Sequence, residues 1–406
     1  MTSTVRLGDV GSTYGGLTGK SKADFGRGDA SFVTFLEVIN STRLRGRALG
    51  RVRVGRGERQ NRVMRGDLLF NGSSETPDEV ALSAVVDFEP ETPTFLNSFC
   101  FGFRLRPGAA VEPAYLAYLF RSSVGRSLVA ALAQGAIRYN IAKTKFLDVE
   151  LTLPSVERQH EIVEALGDAD EHIATLGRTI AKKQAIKRGM MQQLLTGKTR
   201  LPSFTKEWAD STIRALANVA GGGTPSTRVG AYWGGGIPWF TPADIKEEGS
   251  GLVSDSSRTI THDGLANSAA TLLPEGSVLV TSRASIGNCA VAKVPVATNQ
   301  GFTSMIPTDR RSTWFLYYWV QQHRSELETR AAGSTFLEIG ASKVAGIPLE
   351  VPTLDEQQLI GEALLDVDAE LDALRRRIGK ARDVRRGMAQ ELLSGQDSIP
   401  AATGAA

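Results

Sequence analysis

One ungapped internal repeat constrains this 406-residue chain more than any other feature. Laying Pro154 on Pro352, a shift of 198 residues, places PSVERQHEIVEALGDADEHIATLGRTIAKKQAIKRGMMQQLLTGKTRLP over PTLDEQQLIGEALLDVDAELDALRRRIGKARDVRRGMAQELLSGQDSIP. Identical residues coincide at Gln159 and Gln357, Ile162 and Ile360, Leu166 and Leu364, Asp170 and Asp368, and Leu176 and Leu374. They continue at Ile180 and Ile378, Arg188 and Arg386, Gly189 and Gly387, Met190 and Met388, Leu194 and Leu392, and Gly197 and Gly395. A chain built this way folds the same unit twice.

Each copy reads as one long helix. In the second, apolar residues recur at alternating steps of four and three through Ile360, Leu364, Val367, Leu371, Leu374, Ile378 and Ala381, then Arg385, Met388 and Leu392. The first follows with Ile162, Leu166, Ala169, Ile173, Leu176, Ile180, Lys183, Lys187, Met190 and Leu194. A period of 3.5 held this long is a coiled-coil seam, and two matching seams in one chain pack most simply on each other. Ser155 and Thr353 can cap the starts and Gly197 and Gly395 the ends, so the helices are expected over 153–198 and 351–396. Lys183, Lys187 and Arg385 in the seam predict that the pairing loosens toward the C-terminal ends, or that another protein packs there.

Upstream of each helix lies a mixed strand-and-turn segment, 1–152 and 199–350. Gly66–Asp67–Leu68–Leu69–Phe70 and Gly276–Ser277–Val278–Leu279–Val280 each read as a turn followed by a buried strand. VRLGDV from Val5 parallels IRALANV from Ile213, PAYLAYLF from Pro113 parallels STWFLYYWV from Ser312, and GAIRYNIAKTKF from Gly135 parallels GSTFLEIGASKV from Gly333. Most other side chains differ, so the two domains are expected to share a scaffold while presenting different surfaces. The fold class is therefore α+β: two similar domains separated by two long helices that form an antiparallel coiled coil, with a pseudo-two-fold internal repeat. Residues 397–406 read as a disordered tail.

The composition, 41% hydrophobic and 22% charged, is that of a soluble globular protein. No run of eighteen apolar residues is present, and the N-terminus lacks the pattern of a signal peptide. Two cysteines, Cys100 and Cys289, fit a reducing, cytoplasmic setting. His160, His172, His262 and His323 have no partners at metal-ligand spacing, so no metal site is expected.

Catalytic motifs fail on inspection. GGLTGKS from Gly15 to Ser21 lacks the leading glycine of a phosphate loop, because Tyr14 stands five residues before Gly19. Thr196–Gly197–Lys198–Thr199 follows a helix instead of opening one. The chain has no Pro-Pro pair for an amino-methyltransferase, Phe25–Gly26–Arg27–Gly28 reads as a turn, and Pro77–Asp78–Glu79 lacks the following acid-x-Lys element of a nuclease.

On these motifs the chain resembles the specificity subunits of type I restriction-modification systems. The resemblance covers nearly the whole length and rests on the order domain–helix–domain–helix. The helix entries LTLPSVERQ and LEVPTLDEQQ are similar to the family's proline-then-EQ signature, although the first has Glu157–Arg158–Gln159 where the second has Asp355–Glu356–Gln357. GGGTPST from Gly221, AYWGGGIPWFTPADI from Ala231, VLVTSRASIGNCAVA from Val278 and TNQGF from Thr298 look like one type of target-recognition domain. YGGLTGKSKADF from Tyr14 and FVTFLEVIN from Phe32 look like another. The resemblance implies a non-catalytic subunit that reads a bipartite site in double-stranded DNA, one half per domain. It also implies two methyltransferase subunits docked on the chain and, through them, endonuclease subunits. S-adenosylmethionine, ATP and Mg would belong to those partners, with no cofactor in this chain.

Phosphates are met by Arg, Lys, Ser, Thr and backbone N–H groups, and base edges by Arg, Lys, Asn and Gln. Arg43, Arg45, Arg47, Arg51, Arg53, Arg56, Arg59, Arg62 and Arg65 stand against the single acid Glu58, which suits a polyanion-facing surface. A solvated strand-and-loop surface is the alternative. The candidates in the first domain are Lys20, Lys22, Arg43, Arg45, Arg47, Arg138, Tyr139, Asn140, Lys143 and Lys145. In the second they are Thr224, Ser226, Arg228, Tyr232, Arg283, Ser285 and Lys343. Trp233 and Trp239 read as core or loop anchors, and Asn299–Gln300–Gly301 as a turn near the site. Helices of about forty residues span roughly 60 Å, which would fix the two half-sites about one DNA turn apart. Four residues inserted after Leu195 are then expected to widen the unread spacer. A scaffold that binds only proteins is the competing reading, distinguishable by its indifference to duplex DNA.

Overall fold

The structure, a computed structural model, describes residues 2–55, 57–135, 138–246, 251–283, 285–331 and 337–394. Two compact units emerge: Met1–Ala174 with Gly379–Ala406, and Thr175–Ile378. Both boundaries fall inside long helices, Val156–Leu194 and Leu354–Leu393, so each unit holds one domain, the start of one helix and the end of the other. Arg56 of the arginine run, Ala136, Ile137, Gly333 to Phe336 and the tail 397–406 lie outside the described residues.

In the first unit a five-stranded sheet runs in the order Gly11–Gly15, Cys100–Leu105, Leu68–Asn71, Ser83–Val86, Arg43–Leu44. All pairings are antiparallel except the last. Leu68, Leu69 and Phe70 are all buried, as the turn-then-strand reading of the sequence predicts. Gly66 supplies that turn at φ +85°, a left-handed conformation that suits glycine. The helix Pro113–Arg121 covers one face, and Phe146 is ringed by Phe70, Phe101, Phe103 and Phe120 at centroid distances of 5.0–5.7 Å. Ser3–Arg6 pairs with Glu150–Leu153 beside this core.

The second unit repeats this plan. Its five-stranded sheet runs Ala217–Gly221, Thr303–Pro307, Val278–Val280, Cys289–Ala292, Leu252–Val253, again with only the last pair parallel. Gly276 makes the matching turn at φ +85°. Thr313–Gln322 is the covering helix, and Ala209–Thr212 pairs with Pro348–Val351. Each domain also carries a three-stranded sheet with a bulged central strand. In the first it runs Gly50–Val52, Phe25–Val33, Thr94–Leu96, and in the second Arg258–Ile260, Trp233–Phe240, Ala297–Thr298. The duplication seen in the helices thus extends to the five-stranded sheet and the bulged three-stranded sheet of each domain.

The long helices are slightly shorter than the expected 153–198 and 351–396. Leu153 and Val351 close strands, and a proline follows each before the helix begins. Within each unit the two helix segments run antiparallel. In the first, Ile162 and Leu166 share a core with Leu393, while Asp170 meets Arg385 at 2.9 Å. In the second, Lys187 meets Asp368 at 2.8 Å, and Lys183 pairs with Glu370. The expectation that Lys183, Lys187 and Arg385 loosen the seam is therefore corrected, because each has a carboxylate on the facing helix. Leu195 lies beyond the helix end at Leu194, so an insertion after it would not lengthen the rod. No helix among the described residues is long and apolar enough to cross a membrane.

Candidate nucleic-acid interface

In the first domain, the Gly-rich loop leaves the strand Gly11–Gly15 and passes so close to the neighbouring backbone that a Cβ on Gly16 would stand 2.0 Å from the Asn97 carbonyl oxygen. The loop is then tied to the arginine-rich segment. Gln60 donates to the Thr18 carbonyl at 2.9 Å and accepts from the Thr18 N–H at 3.1 Å, while Asn61 donates to the Gly15 carbonyl at 3.1 Å. Lys20 pairs with Glu58, which holds the Glu58 carboxyl below its usual range. Asp24 closes a capping box with Ser21. The Ser21 N–H and hydroxyl, and then Arg53, hold the Asp24 carboxyl well below the ordinary value. A 3₁₀ turn at Lys22–Asp24 and a strand follow this loop where a phosphate loop would need a helix.

The remaining candidates of this domain sort by partner. Lys22, Arg47, Lys145 and Arg138 are exposed, and no side-chain partner of theirs appears among the described residues. Arg59 and Arg62 are exposed too, on the segment that holds the loop. Lys143 lies over Gly15, where a Cβ would stand 3.4 Å from its Nζ, so it joins the loop entrance. Tyr139 and Asn140 lie in a strand between Ala133–Gln134 and Ser73–Ser74. Arg43 and Arg45 are directed elsewhere: Arg43 to Asp87 at 2.8 Å and Arg45 to Glu171 on the long helix at 2.9 Å. Both line a cleft of about 460 Å³ with the acids Glu112, Glu164, Asp168 and Glu171, an unfavourable setting for a polyanion.

In the second domain, the two tryptophans hold the loop Gly221–Thr227. Trp239 Nε1 donates to the Gly223 carbonyl at 2.9 Å and Trp233 Nε1 to the Ser226 carbonyl at 3.2 Å. Gly222 repeats the close approach of Gly16, with a Cβ position 2.1 Å from the Asn299 carbonyl oxygen. Thr224 donates to Gln300 at 2.6 Å, and Asn299 closes its turn by accepting from the Gly301 N–H at 2.8 Å. Ser226 and Arg228 are exposed at the loop's crown, and half-buried Tyr232 ends a 3₁₀ turn behind it. Arg283 pairs with Glu338 at 2.8 Å across an isolated bridge. Ser285 sits in the following turn, and Lys343 is exposed on the short helix Ala341–Ala345.

Sequence reading missed three features. Gln60 and Asn61 carry no motif, yet they fix the first loop. Asp67, almost wholly buried, accepts from Tyr14 at 2.6 Å and from Arg104 at 2.7 Å, bracing the strand that feeds that loop. Arg258 lies 3.6 Å from the centroid of the Trp233 ring. An arginine at the head of a short strand was the only available signal for it.

The model of the type I restriction modification DNA specificity domain matches residues 205–380. The type I restriction enzyme MjaIX specificity subunit of Methanocaldococcus jannaschii is 39% identical over 168 residues, 41% of this chain and 39% of that protein. The EcoR124I/EcoR124II specificity subunit of Escherichia coli is 30% identical over 165 residues, 39% of this chain and 40% of that protein. The chain thus spans about two fifths of the length of these relatives. The crystal structure of a type I restriction-modification S subunit from M. genitalium superposes with a TM-score of 0.60 at 13% identity, covering 97% of this chain and 96% of that one. Residues 205–380 are thus similar in sequence to the type I restriction modification DNA specificity domain, and the chain as a whole shares the fold of a solved S subunit of such a system.

Proposed function

We propose that this chain reads a bipartite sequence in double-stranded DNA, one half per domain, on behalf of partner subunits that carry the chemistry. The observation that carries the reading is the pair of pinned loops. In both domains a glycine is pressed against an Asn carbonyl, the loop is fixed by side-chain hydrogen bonds, and exposed cations flank it. Rigid loops with cations free of carboxylates suit contacts to phosphates and base edges. The candidates favoured by their surroundings are Lys22, Arg138, Lys143 and Lys145 in the first domain, and Thr224, Ser226 and Arg228 in the second. Arg43, Arg45 and Lys20 are assigned structural pairing instead.

The long helices set the separation of the half-sites in this reading and dock two methyltransferase subunits, through which endonuclease subunits join. S-adenosylmethionine, ATP and Mg bind in those partners. Duplex binding as a function of salt tests the proposal. With several phosphates neutralised, log K should fall steeply and linearly with log salt concentration. Duplex affinity that is absent or insensitive to salt would favour the protein-only scaffold.

A further inference from the structure

The bulged three-stranded sheets of the two domains can be compared position by position. In the first, Phe25 lies opposite Val52 and Phe32 opposite Gly50. In the second, Trp233 lies opposite Ile260 and Trp239 opposite Arg258. The aromatic pairs therefore correspond: Phe25 and Phe32 meet edge to face at 5.0 Å, and so do Trp233 and Trp239. The pairs stay aromatic and Val52 matches Ile260, but the residue opposite the second aromatic changes from glycine to arginine. At Gly50 a Cβ would run into the Phe32 ring at 2.3 Å. At Arg258 the guanidinium carbon instead lies 3.6 Å from the Trp233 centroid and 5.6 Å from that of Trp239.

Arg258 also differs from the other cations around it. Most arginines of the second domain hold a carboxylate: Arg283 with Glu338, Arg310 with Glu275, Arg311 with Asp309, and Arg330 with Glu326. Arg258 is exposed and has no carboxylate partner among the described residues. It rests on the ring whose Nε1 holds the Ser226 carbonyl of the pinned loop. Stacking on an indole face fixes the guanidinium plane while leaving its N–H fork open at the edge. A fixed, unpaired fork beside a rigid loop matches the paired acceptors O6 and N7 of guanine in the major groove.

Resting on the DNA-reading function proposed above, we infer that Arg258, stacked on Trp233 in the second domain, is a base-reading residue that selects a guanine in that domain's half-site. The first domain, with Gly50 on the same platform, makes no such selection there. The platform is the shared scaffold, and the residue mounted on it is the variable reader.

The test is selection of preferred duplexes from a randomised pool by the full chain with its cognate methyltransferase subunit, comparing wild type, Arg258→Ala and Arg258→Lys. Each variant is first shown to unfold with wild-type cooperativity. The expected result is that both variants lose roughly tenfold to a hundredfold of the preference for one guanine, while every other position of the motif is retained. Lysine should fail to rescue because it lacks the planar fork. Two results overturn the assignment: a motif unchanged in both variants, or an even loss of affinity for all duplexes with a shallower salt dependence, the mark of a phosphate contact. If the wild type itself selects no sequence, the DNA-reading function fails, and this inference falls with it.

Discussion

The hydroxyl of Tyr318 donates a 2.8 Å hydrogen bond to Asp368. Lys187 reaches the same carboxylate oxygen at 2.8 Å and lies over the Tyr318 ring. The first unit repeats the arrangement, with Tyr118 on Asp170 at 2.9 Å and Arg385 on the same carboxylate at 2.9 Å. A tyrosine from the covering helix of each domain is thereby locked to the long-helix pair. Burial first, and then the neighbouring carboxylate, push both phenols well above their ordinary range, so they remain hydrogen-bond donors at any physiological pH.

This triad makes Asp368 a stability residue. Asp368 is 5% exposed, so its loss leaves the buried Tyr318 hydroxyl and the half-buried Lys187 without their acceptor. Asp368→Ala should cost on the order of 3 kcal/mol, and Tyr318→Phe only about 1 kcal/mol. Denaturant unfolding of the two variants checks the order, and equal, negligible losses would contradict it.

The pinned glycines predict losses confined to one half-site. Alanine at Gly16 or Gly222 drives a methyl group into a neighbouring backbone carbonyl, a strain of about 1–3 kcal/mol. Gly16→Ala should weaken recognition of one half-site and Gly222→Ala the other. Binding to duplexes with either half scrambled separates the two effects. The prediction fails if both variants lose the same half.

Both cysteines should be silent in the folded chain. Burial pushes the Cys100 and Cys289 thiols up to about 12, against roughly 8.5 for a free thiol. Their protonated forms are favoured by the fold, so this contribution is complete below about pH 8.5 and is lost as pH rises toward 12. A thiol reagent at pH 8 should label both only in step with unfolding, and rapid labelling of the native chain would contradict the burial.

The helix bounds also correct the design of a spacing test. Seven residues inserted after Ile180 and seven after Ile378 preserve the 3.5-residue seam and lengthen both helices by about 10 Å, or about three base pairs at 3.4 Å each. The unread spacer should grow by that amount with both half-sites unchanged. An unchanged spacer would remove the ruler role from the helices.

The duplication, the long helices and the turns at Gly66 and Gly276 were legible in the sequence because periodicity and glycine are local signals. The role of the seam cations was not, since the acids that neutralise Lys187 and Arg385 lie on the other helix. Arg258 and Trp233 stack across 25 positions, and Lys20 meets Glu58 across 38, distances at which no pattern announces a partner. The departure at Arg158 has a structural reading. Its counterpart Glu356 is fully buried and holds Arg200 at 2.6 Å. The residue in register with Arg200 in the other copy is Ser398. Arg158 pairs with Glu161 at 2.8 Å.

Methylation mapping tests the central claim most directly. The chain would be co-expressed with its cognate methyltransferase subunit in a methylation-free host and the modified bases sequenced. Sequence reading by two domains predicts a single split motif with modified adenines in both halves and a fixed unread spacer. A stable complex of the two proteins that leaves the DNA unmodified, or modifies it without a split motif, would contradict it.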